Sequence, residues 1–130
     1  MKKVDDAIAS RKRTAELYRE GLKNVAGIRY LNDMEGVRHN YSYFPVFVDE
    51  KEYGISRDEL YFKMQKENIF CRRYFYPLIS TFSTYKGLDS AKTENLPIAT
   101  RIADSVICLP VYAGLENGDI ERIIKIIAKK

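Results

Sequence analysis

Apolar residues recur at helical spacing over residues 2–25, and most of the positions between them are charged. Such a pattern is typical of an amphipathic helix with one buried face. The apolar positions are Val4, Ile8, Ala15, Tyr18, Leu22 and Val25. Gly27 follows the last turn and suits a helix end. The pattern predicts one long N-terminal helix. Because no Ser, Thr or Asp precedes its first turn, we expect it to be cut from a longer helix.

Two stretches predict strands in the first half of the chain. Residues 28–31 form a short stretch with Ile28, Tyr30 and Leu31, and residues 40–48 carry the strongest strand pattern, rich in aromatic and β-branched side chains. Pro45 lies within the second stretch, and a proline cannot donate to a strand ladder. We therefore expect Pro45 at a sheet edge or a bulge, and we expect residues 49–55 to form a turn.

A capping box predicts the next helix. Ser56 is followed three residues later by Glu59, which is the pairing that satisfies the first amides of a helix. The helix is expected to run to about Glu67, with Leu60 and Met64 facing inward. Residues 69–77 then predict a strand closed by Pro77. A strand, a helix and a strand in this order form a compact α+β unit.

The second half of the chain predicts two helices around one strand. Residues 94–105 are expected to form a helix with Pro97 in its first turn. Residues 106–109 predict a short buried strand, and residues 117–128 predict a last helix. The expected inward positions of the two helices are Ile98, Ile102 and Val106, then Ile120, Ile123, Ile124 and Ile127. We therefore expect one α+β domain, with a small antiparallel or mixed sheet of about three to four strands flanked by helices.

Charge is distributed unevenly along the chain. The net charge is +4, and residues 1–29 contain eight Lys and Arg against four Asp and Glu. The remainder is balanced, so the excess lies on the first helix and does not form the basic face that nucleic-acid binding requires. Arginines interleaved with aromatics do resemble a single-strand stacking platform. A stand-alone binding module for single-stranded nucleic acid or another anionic ligand therefore remains the alternative function.

Several classes of site and location are excluded by what the sequence lacks. No apolar run approaches the roughly 20 residues that cross a membrane. The polar start is not a signal peptide, so a cytoplasmic protein is expected. Cys71 and Cys108 fit buried, reduced thiols. His39 is the only histidine, so we expect no metal site, and the residues form no complete catalytic constellation.

Residues 69–80 carry the densest candidate chemistry. Arg72, Arg73, Tyr74, Phe75 and Tyr76 follow one another. In an extended chain, Arg72, Tyr74 and Tyr76 would share one face, and Arg73 and Phe75 the other. A guanidinium and two phenols on one face can bind an anion and a polyol. The alternative is an amphipathic strand with surface arginines stacked on tyrosines.

Several motifs in order resemble the C-terminal domain of the DegT/DnrJ/EryC1/StrS aminotransferases, which are fold-type-I enzymes. The first is an Arg-x-Tyr-x-Pro-Leu-like run from Arg72 to Leu78. The others are Asn95-Leu96-Pro97 opening a helix, the run from Ser105 to Tyr112, Gly114-Leu115, and a terminal helix. The N-terminal helix is similar to the one that links the large and small domains of this family. Many members carry a histidine after the Pro-Leu pair, where this chain has Ile79 and Ser80.

This resemblance implies a domain organisation. Residues 1–130 would form the small C-terminal domain, with residues 1–26 as the interdomain helix. The large domain, which carries the cofactor lysine, would be absent from this chain. The parent would be a homodimeric enzyme that uses pyridoxal 5′-phosphate, and the 130-residue chain alone would neither bind that cofactor tightly nor transaminate.

The resemblance also implies a substrate and a role for residues 72–76. The parent would transfer an amino group from an amino-acid donor to a nucleotide-linked keto-deoxy sugar, in the biosynthesis of cell-surface polysaccharide. The run from Arg72 to Leu78 is most similar to members that aminate 3-keto-6-deoxyhexoses on dTDP. Arg72, Arg73, Tyr74 and Tyr76 are the expected substrate-binding residues, and they would form a pocket wall rather than a catalytic centre.

Overall fold

The computed structural model describes residues 2–129, so Met1 and Lys130, the outermost residues of the predicted domain, lie outside it. The helices are α1 (Lys2–Leu22), α2 (Glu50–Tyr53), α3 (Arg57–Lys66), α4 (Pro97–Ser105) and α5 (Asn117–Ala128). The strands are β1 (Ile28–Tyr30), β2 (Phe44–Val48) and β3 (Val106–Leu109). Three 3-10 turns, Ile79–Thr81, Asp89–Ala91 and Thr93–Asn95, lie in the segment before α4.

The three strands form one antiparallel sheet in the order β1-β2-β3. Beyond β3, Arg72 makes an isolated antiparallel bridge with Cys108. The amide of Arg72 donates to the Cys108 carbonyl at 3.1 Å, and the amide of Cys108 donates to the Arg72 carbonyl at 2.7 Å. The predicted α+β fold is confirmed. The strand expected over residues 69–77 is wrong, because its pairing is limited to this one bridge.

Pro45 lies in the central strand, which contradicts the expected edge or bulge. It pairs with Cys108, whose amide and carbonyl both bond to Arg72 on the other side of β3. The nitrogen of Pro45 therefore points away from β3, towards β1. On that side, the pairing between β1 and β2 ends at Tyr30 and Val46, one residue before Pro45 is reached. The missing N–H of Pro45 therefore leaves no carbonyl of β1 without its hydrogen bond.

The core lies between the sheet and a layer formed by α1 and α5. Its largest fully buried side chains include Tyr18 and Leu22 of α1 and Ile120 and Ile127 of α5. The Tyr18 hydroxyl donates to the Pro110 carbonyl at 2.9 Å, which satisfies a buried polar group. Burial raises the pKa of Tyr18, so its phenol stays protonated. The inward positions expected on α3 and α5 are confirmed, with Ile124 only partly buried.

Some inward positions expected on the first and fourth helices are exposed. Val4 lies in the first turn of α1, outside the core contacts, and Ile98 and Ile102 of α4 are exposed while Ala103 is buried. Helix α1 ends at Leu22, before Val25, and α4 begins at Pro97 instead of residue 94. The apolar stripe of α4 therefore faces away from the core of the described residues. Among those residues, no helix has both the length and the apolar character needed to cross a membrane.

Helix α2 was expected to be a turn. Asp49 caps it by accepting from the amides of Lys51 and Glu52. The helix brings Tyr53 against Gly27, where an added Cβ would lie 2.3 Å from the Tyr53 amide nitrogen. Gly27 also has φ of 75°, so both the space and the backbone require glycine there.

The capping box of α3 is formed as expected, and it gives a first test of local stability. The Ser56 side chain accepts from the Glu59 amide at 3.2 Å, and the Ser56 amide donates to the Glu59 carboxylate at 2.8 Å. We expect Ser56→Ala to lower the free energy of unfolding by about 1 kcal/mol, measured by urea denaturation. Ser90→Ala, at an exposed position, is the matched control and should change it by less than about 0.5 kcal/mol. Equal losses in the two variants would contradict the capping role.

Candidate functional site

The chain turns immediately after the bridge of Arg72 with Cys108. The Tyr76 amide donates to the Arg73 carbonyl at 3.0 Å, which closes a tight turn. The peptide bonds Tyr74–Phe75 and Tyr76–Pro77 are both cis. Because residues 73–76 form a turn and not a strand, the expectation that Arg72, Tyr74 and Tyr76 share one face is wrong. We call residues 72–78 the Arg-Tyr loop.

Arg73 and Tyr76 belong to one side-chain cluster built on the start of α3. The Arg73 guanidinium donates to Asp58 Oδ1 at 3.0 Å, and the Arg57 Nε donates to the same oxygen at 2.8 Å. The Arg73 guanidinium lies 4.4 Å from the Tyr61 ring centroid and 4.9 Å from that of Tyr76. The Arg57 guanidinium lies 4.6 Å from the Tyr76 ring centroid. Two cations therefore hold Tyr76 in place by cation–π contact.

Arg57 anchors this cluster to the body of the fold. It is 3% exposed, and its Nη1 donates to the carbonyls of Ala103 and Val106, both at 2.8 Å. These carbonyls lie where α4 ends and β3 begins. The Arg57 side chain thus satisfies backbone acceptors at a helix C-terminus and joins α3, the α4–β3 junction and the Arg-Tyr loop.

Asp58 is the shared anion of the cluster. Partial burial acts to raise its pKa, but the hydrogen bond from Arg73 and the charges of Arg57 and Arg73 outweigh that effect. The net pKa lies below the ordinary value. The carboxylate therefore contributes stability at neutral pH, and that contribution is lost as the pH falls through the lowered pKa.

Tyr74 lies in a second group of aromatic side chains. Its ring stacks on Tyr43 with centroids 4.8 Å apart and an interplanar angle of 23°, and on Phe75 with centroids 3.8 Å apart. The neighbouring Tyr43 hydroxyl raises the pKa of Tyr74. The Tyr74 phenol is therefore protonated at neutral pH, and it can donate or accept a hydrogen bond but does not act as a phenolate base.

Arg72 is separated from both groups. Its side chain is exposed, and within the described residues its guanidinium makes no ion pair and no side-chain hydrogen bond. The hydrogen bond with Tyr43 raises the pKa of Tyr74 and burial raises the pKa of Cys108, and the positive charge of Arg72 opposes both increases. Arg73 forms an ion pair with Asp58. Of the two arginines, Arg72 is therefore the one whose guanidinium is available to bind an anion.

The two cysteines are buried and free, as expected. Burial raises the pKa of Cys71 to about 12, and burial also raises the pKa of Cys108. Both side chains are therefore neutral thiols at physiological pH and not nucleophilic thiolates. Within residues 2–129, no three His, Cys, Asp or Glu side chains are grouped so that they could hold a metal ion.

A surface groove of about 920 Å³ lies beside the arginine–tyrosine cluster. Tyr76, Arg57 and Asp58 line one part of it. Charged residues of both signs line much of the rest, together with apolar side chains such as Phe47 and Ile102; the charged residues are Arg29, Asp49, Glu50, Lys51, Arg101 and Asp104. The cluster therefore borders a concave surface, with the Tyr76 ring at its edge.

The sequence predicted the candidate site in the Arg-Tyr loop, but the prediction did not include Tyr43, Arg57 and Asp58, whose side chains contact that loop. A signal for Arg57 was present, because it precedes Leu60 by three positions and therefore lies on the buried stripe of α3. A charged residue on a buried helix face requires partners. Tyr43 carried no such signal, because its contact with Tyr74 depends on how two distant loops fold together.

The pyridoxal phosphate implied by the resemblance does not fit the side chains described here. An imine needs a lysine amine that is held inside a pocket and free of competing hydrogen bonds. Among residues 3–129, every lysine except Lys63 is exposed. Lys63 donates to the carbonyls of Ile126 and Lys129. None of these lysines is placed to form the imine.

Comparison with known proteins identifies close relatives. The model of the DegT/DnrJ/EryC1/StrS aminotransferase family matches residues 1–128. A dTDP-4-amino-4,6-dideoxy-D-glucose transaminase from Escherichia coli is 42% identical over 130 residues, which is 100% of this chain and 35% of that protein. The protein of the same name from Shigella dysenteriae is 36% identical over 95% of this chain and 33% of its own length.

The chain is also similar in fold to a solved structure. The crystal structure of DesI in the presence of its TDP-sugar product superposes with a TM-score of 0.86 and 26% identity. The superposition covers 96% of this chain and 32% of DesI. The chain spans about a third of the length of the curated relatives it matches.

Proposed function

This chain belongs to the DegT/DnrJ/EryC1/StrS aminotransferase family, and on that premise we propose that the whole protein is a sugar aminotransferase. Aminotransferases of this family depend on pyridoxal phosphate, which supplies the electron sink for amino transfer when it is bound. We propose that residues 1–130 are the small domain, with residues 1–26 as the interdomain helix. The imine-forming lysine would then lie on a large domain outside this chain.

The role proposed for the described residues is to bind and orient the sugar nucleotide. Two neighbouring groups carry this role: a guanidinium that has no acidic partner among the described residues, and a protonated phenol whose ring stacks on another tyrosine. The Arg72 charge is exposed and unpaired within the described chain, and Tyr74 is held against Tyr43. We assign Arg72 to the diphosphate and Tyr74 to a sugar hydroxyl. Arg73 and Tyr76 support the loop from the cluster on α3.

The proposed substrate is a dTDP-linked 4-keto-6-deoxyhexose. Support comes from two relatives, at 42% and 36% identity, whose common name describes a transaminase of a 4-amino-4,6-dideoxy sugar. The motif of the Arg-Tyr loop instead favoured a 3-keto-6-deoxyhexose. The two sugars differ in the carbon that receives the amino group, so the product distinguishes them.

The experiment is product analysis with the full-length protein. The protein would be incubated with pyridoxal phosphate, a panel of amino-acid donors, and either the 4-keto or the 3-keto dTDP sugar. We expect turnover of the 4-keto substrate, with nitrogen on C4 located by ¹H–¹⁵N correlation from a labelled donor. Nitrogen on C3 would support the 3-keto alternative.

The 130-residue chain alone is the control, and it should give neither a 1:1 cofactor complex with an imine absorbance band nor product. Failure of the full-length protein to aminate either sugar would overturn the proposed function.

A further inference from the structure

Tyr74 is the proposed sugar contact whose orientation depends most on side-chain packing. Within the described residues, the backbone hydrogen bonds of the Arg-Tyr loop are made by Arg72 at the bridge, by Tyr76 and Arg73 in the turn, and by the Leu78 carbonyl, which accepts from the Thr81 amide. None of the backbone hydrogen bonds in this turn is made by Tyr74 itself. A side chain on such a turn samples several rotamers unless a neighbour fixes it.

Tyr43 supplies that neighbour. The two rings are nearly parallel, at 23°, with centroids 4.8 Å apart, which is an offset-stacked geometry. Tyr43 and Tyr74 are 39% and 37% exposed, so the packed faces are covered while each ring keeps an open part. The hydroxyls are also close enough for Tyr43 to be the main cause of the raised pKa of Tyr74.

The position of Tyr43 is itself fixed from both sides. On its C-terminal side, β2 begins at Phe44, which is buried in the core. On its N-terminal side, the hydroxyl of buried Tyr41 donates to Asp33 at 2.5 Å. Asp33 pairs with Arg19 of α1 at 2.7 Å. The backbone on both sides of Tyr43 is therefore anchored, by Phe44 in the sheet and by Tyr41 through Asp33, so that Tyr43 offers Tyr74 a positioned ring to stack on.

We infer that Tyr43 is a positioning residue, which holds the Tyr74 phenol in the orientation that meets the sugar. The inference rests on the proposed function, since it concerns how Tyr74 reaches the substrate. Tyr43 lies outside the Arg-Tyr loop and so extends the proposed substrate site beyond that loop. Fixing one rotamer before binding removes an entropic cost from the complex, so the benefit appears as binding and turnover and not as stability of the fold.

The first test is structural and uses the 130-residue chain. Ring resonances of Tyr74 are assigned by their loss in Tyr74→Phe and then measured in Tyr43→Leu and Tyr43→Phe. We expect Tyr43→Leu to remove the ring-current shift of Tyr74. Tyr43→Phe should keep that shift and lower the pKa of Tyr74, because the ring remains and the hydroxyl is gone. Unchanged Tyr74 resonances in Tyr43→Leu would overturn the inference.

The second test is kinetic and uses the full-length protein. We expect Tyr43→Leu to lower kcat/KM for the dTDP sugar by about 2- to 10-fold, with Tyr43→Phe close to wild type. In a Tyr74→Leu background, Tyr43→Leu should have no further effect, because there is no phenol left to position. Tyr112→Leu, an exposed tyrosine on the wall of a separate small cavity, is the matched control and should keep wild-type kinetics.

The outcomes separate the inference from the proposed function. A loss of kcat/KM of the same size in both backgrounds, or no loss in either, would overturn the positioning role of Tyr43. If Tyr74→Leu itself keeps wild-type kcat/KM, the assignment of Tyr74 to the sugar fails first, and the inference fails with it. Failure of the full-length protein to aminate any sugar would instead overturn the proposed function.

Discussion

Replacing Arg57 with methionine is expected to lower the free energy of unfolding of this chain by about 3 kcal/mol. Arg57 is 3% exposed and donates to the carbonyls of Ala103 and Val106. Methionine fills a similar volume but leaves these two acceptors without their donor in a site that water does not readily reach. It also removes one of the two cations that contact Asp58 and Tyr76.

The measurement is urea unfolding followed by far-ultraviolet circular dichroism, with the slope m compared between variants. Arg101→Met is the matched control. It makes the same change on the exposed surface of α4 and should alter stability by less than about 0.5 kcal/mol. A loss for Arg57→Met no larger than that of the control would show that the buried hydrogen bonds do not stabilise the α4–β3 junction.

Local signals predicted the elements that local interactions determine. The capping box of Ser56 and Glu59 placed the start of α3 correctly, and the isoleucine stripe placed α5 at residues 117–128. Residues 106–109 form a strand buried at every position, as their apolar run indicated. In each case the residues that decide the structure are adjacent in sequence, so no long-range contact had to be known.

The errors have the opposite origin. The aromatic run of the Arg-Tyr loop favours a strand by composition, but only Arg72 finds a partner strand, at Cys108. The remaining residues follow contacts with α3 and with Tyr43, which lie far away in sequence. Ile98 and Ile102 have the spacing of a buried stripe, yet they are exposed in this chain. The spacing of apolar residues indicates that one face of a helix is suited to burial. It does not indicate which part of the protein packs against that face.

The sequence therefore pointed to a candidate site, whose substrate contacts stay a prediction, but it did not give the arrangement of the side chains there. The two arginines next to tyrosines predicted the candidate site at the Arg-Tyr loop. Asp58 forms an ion pair with Arg73 and leaves Arg72 without one among the described residues, and nothing in the sequence indicated that ion pair. The sequence could not show which arginine lacks an ion-pair partner. It suggested only that successive side chains of an extended strand point to opposite faces, and residues 73–76 form a turn instead.

Replacing Arg72 with alanine in the full-length protein is expected to lower kcat/KM for the dTDP sugar by about 10- to 100-fold. The physical reason is the loss of the proposed charge-assisted hydrogen bond to the diphosphate, a type of bond worth roughly 1.5–3 kcal/mol. Because Arg72 is exposed and makes no side-chain bond within the described chain, the stability of the fold should not change. Arg72→Lys keeps the charge and should recover part of the loss.

Arg73→Ala should behave differently, and the contrast decides which arginine meets the substrate. Its guanidinium is tied to Asp58 at 3.0 Å and packs on Tyr61 and Tyr76. Removing this side chain should therefore lower both the free energy of unfolding and kcat/KM. The decrease in kcat/KM should vary less with ionic strength than the decrease caused by Arg72→Ala. Steady-state kinetics at two ionic strengths, paired with thermal unfolding of each variant, measure both effects. Wild-type kinetics for Arg72→Ala beside a salt-sensitive loss in Arg73→Ala would reverse the assignment, placing the diphosphate against Arg73 and leaving Arg72 as a surface cation.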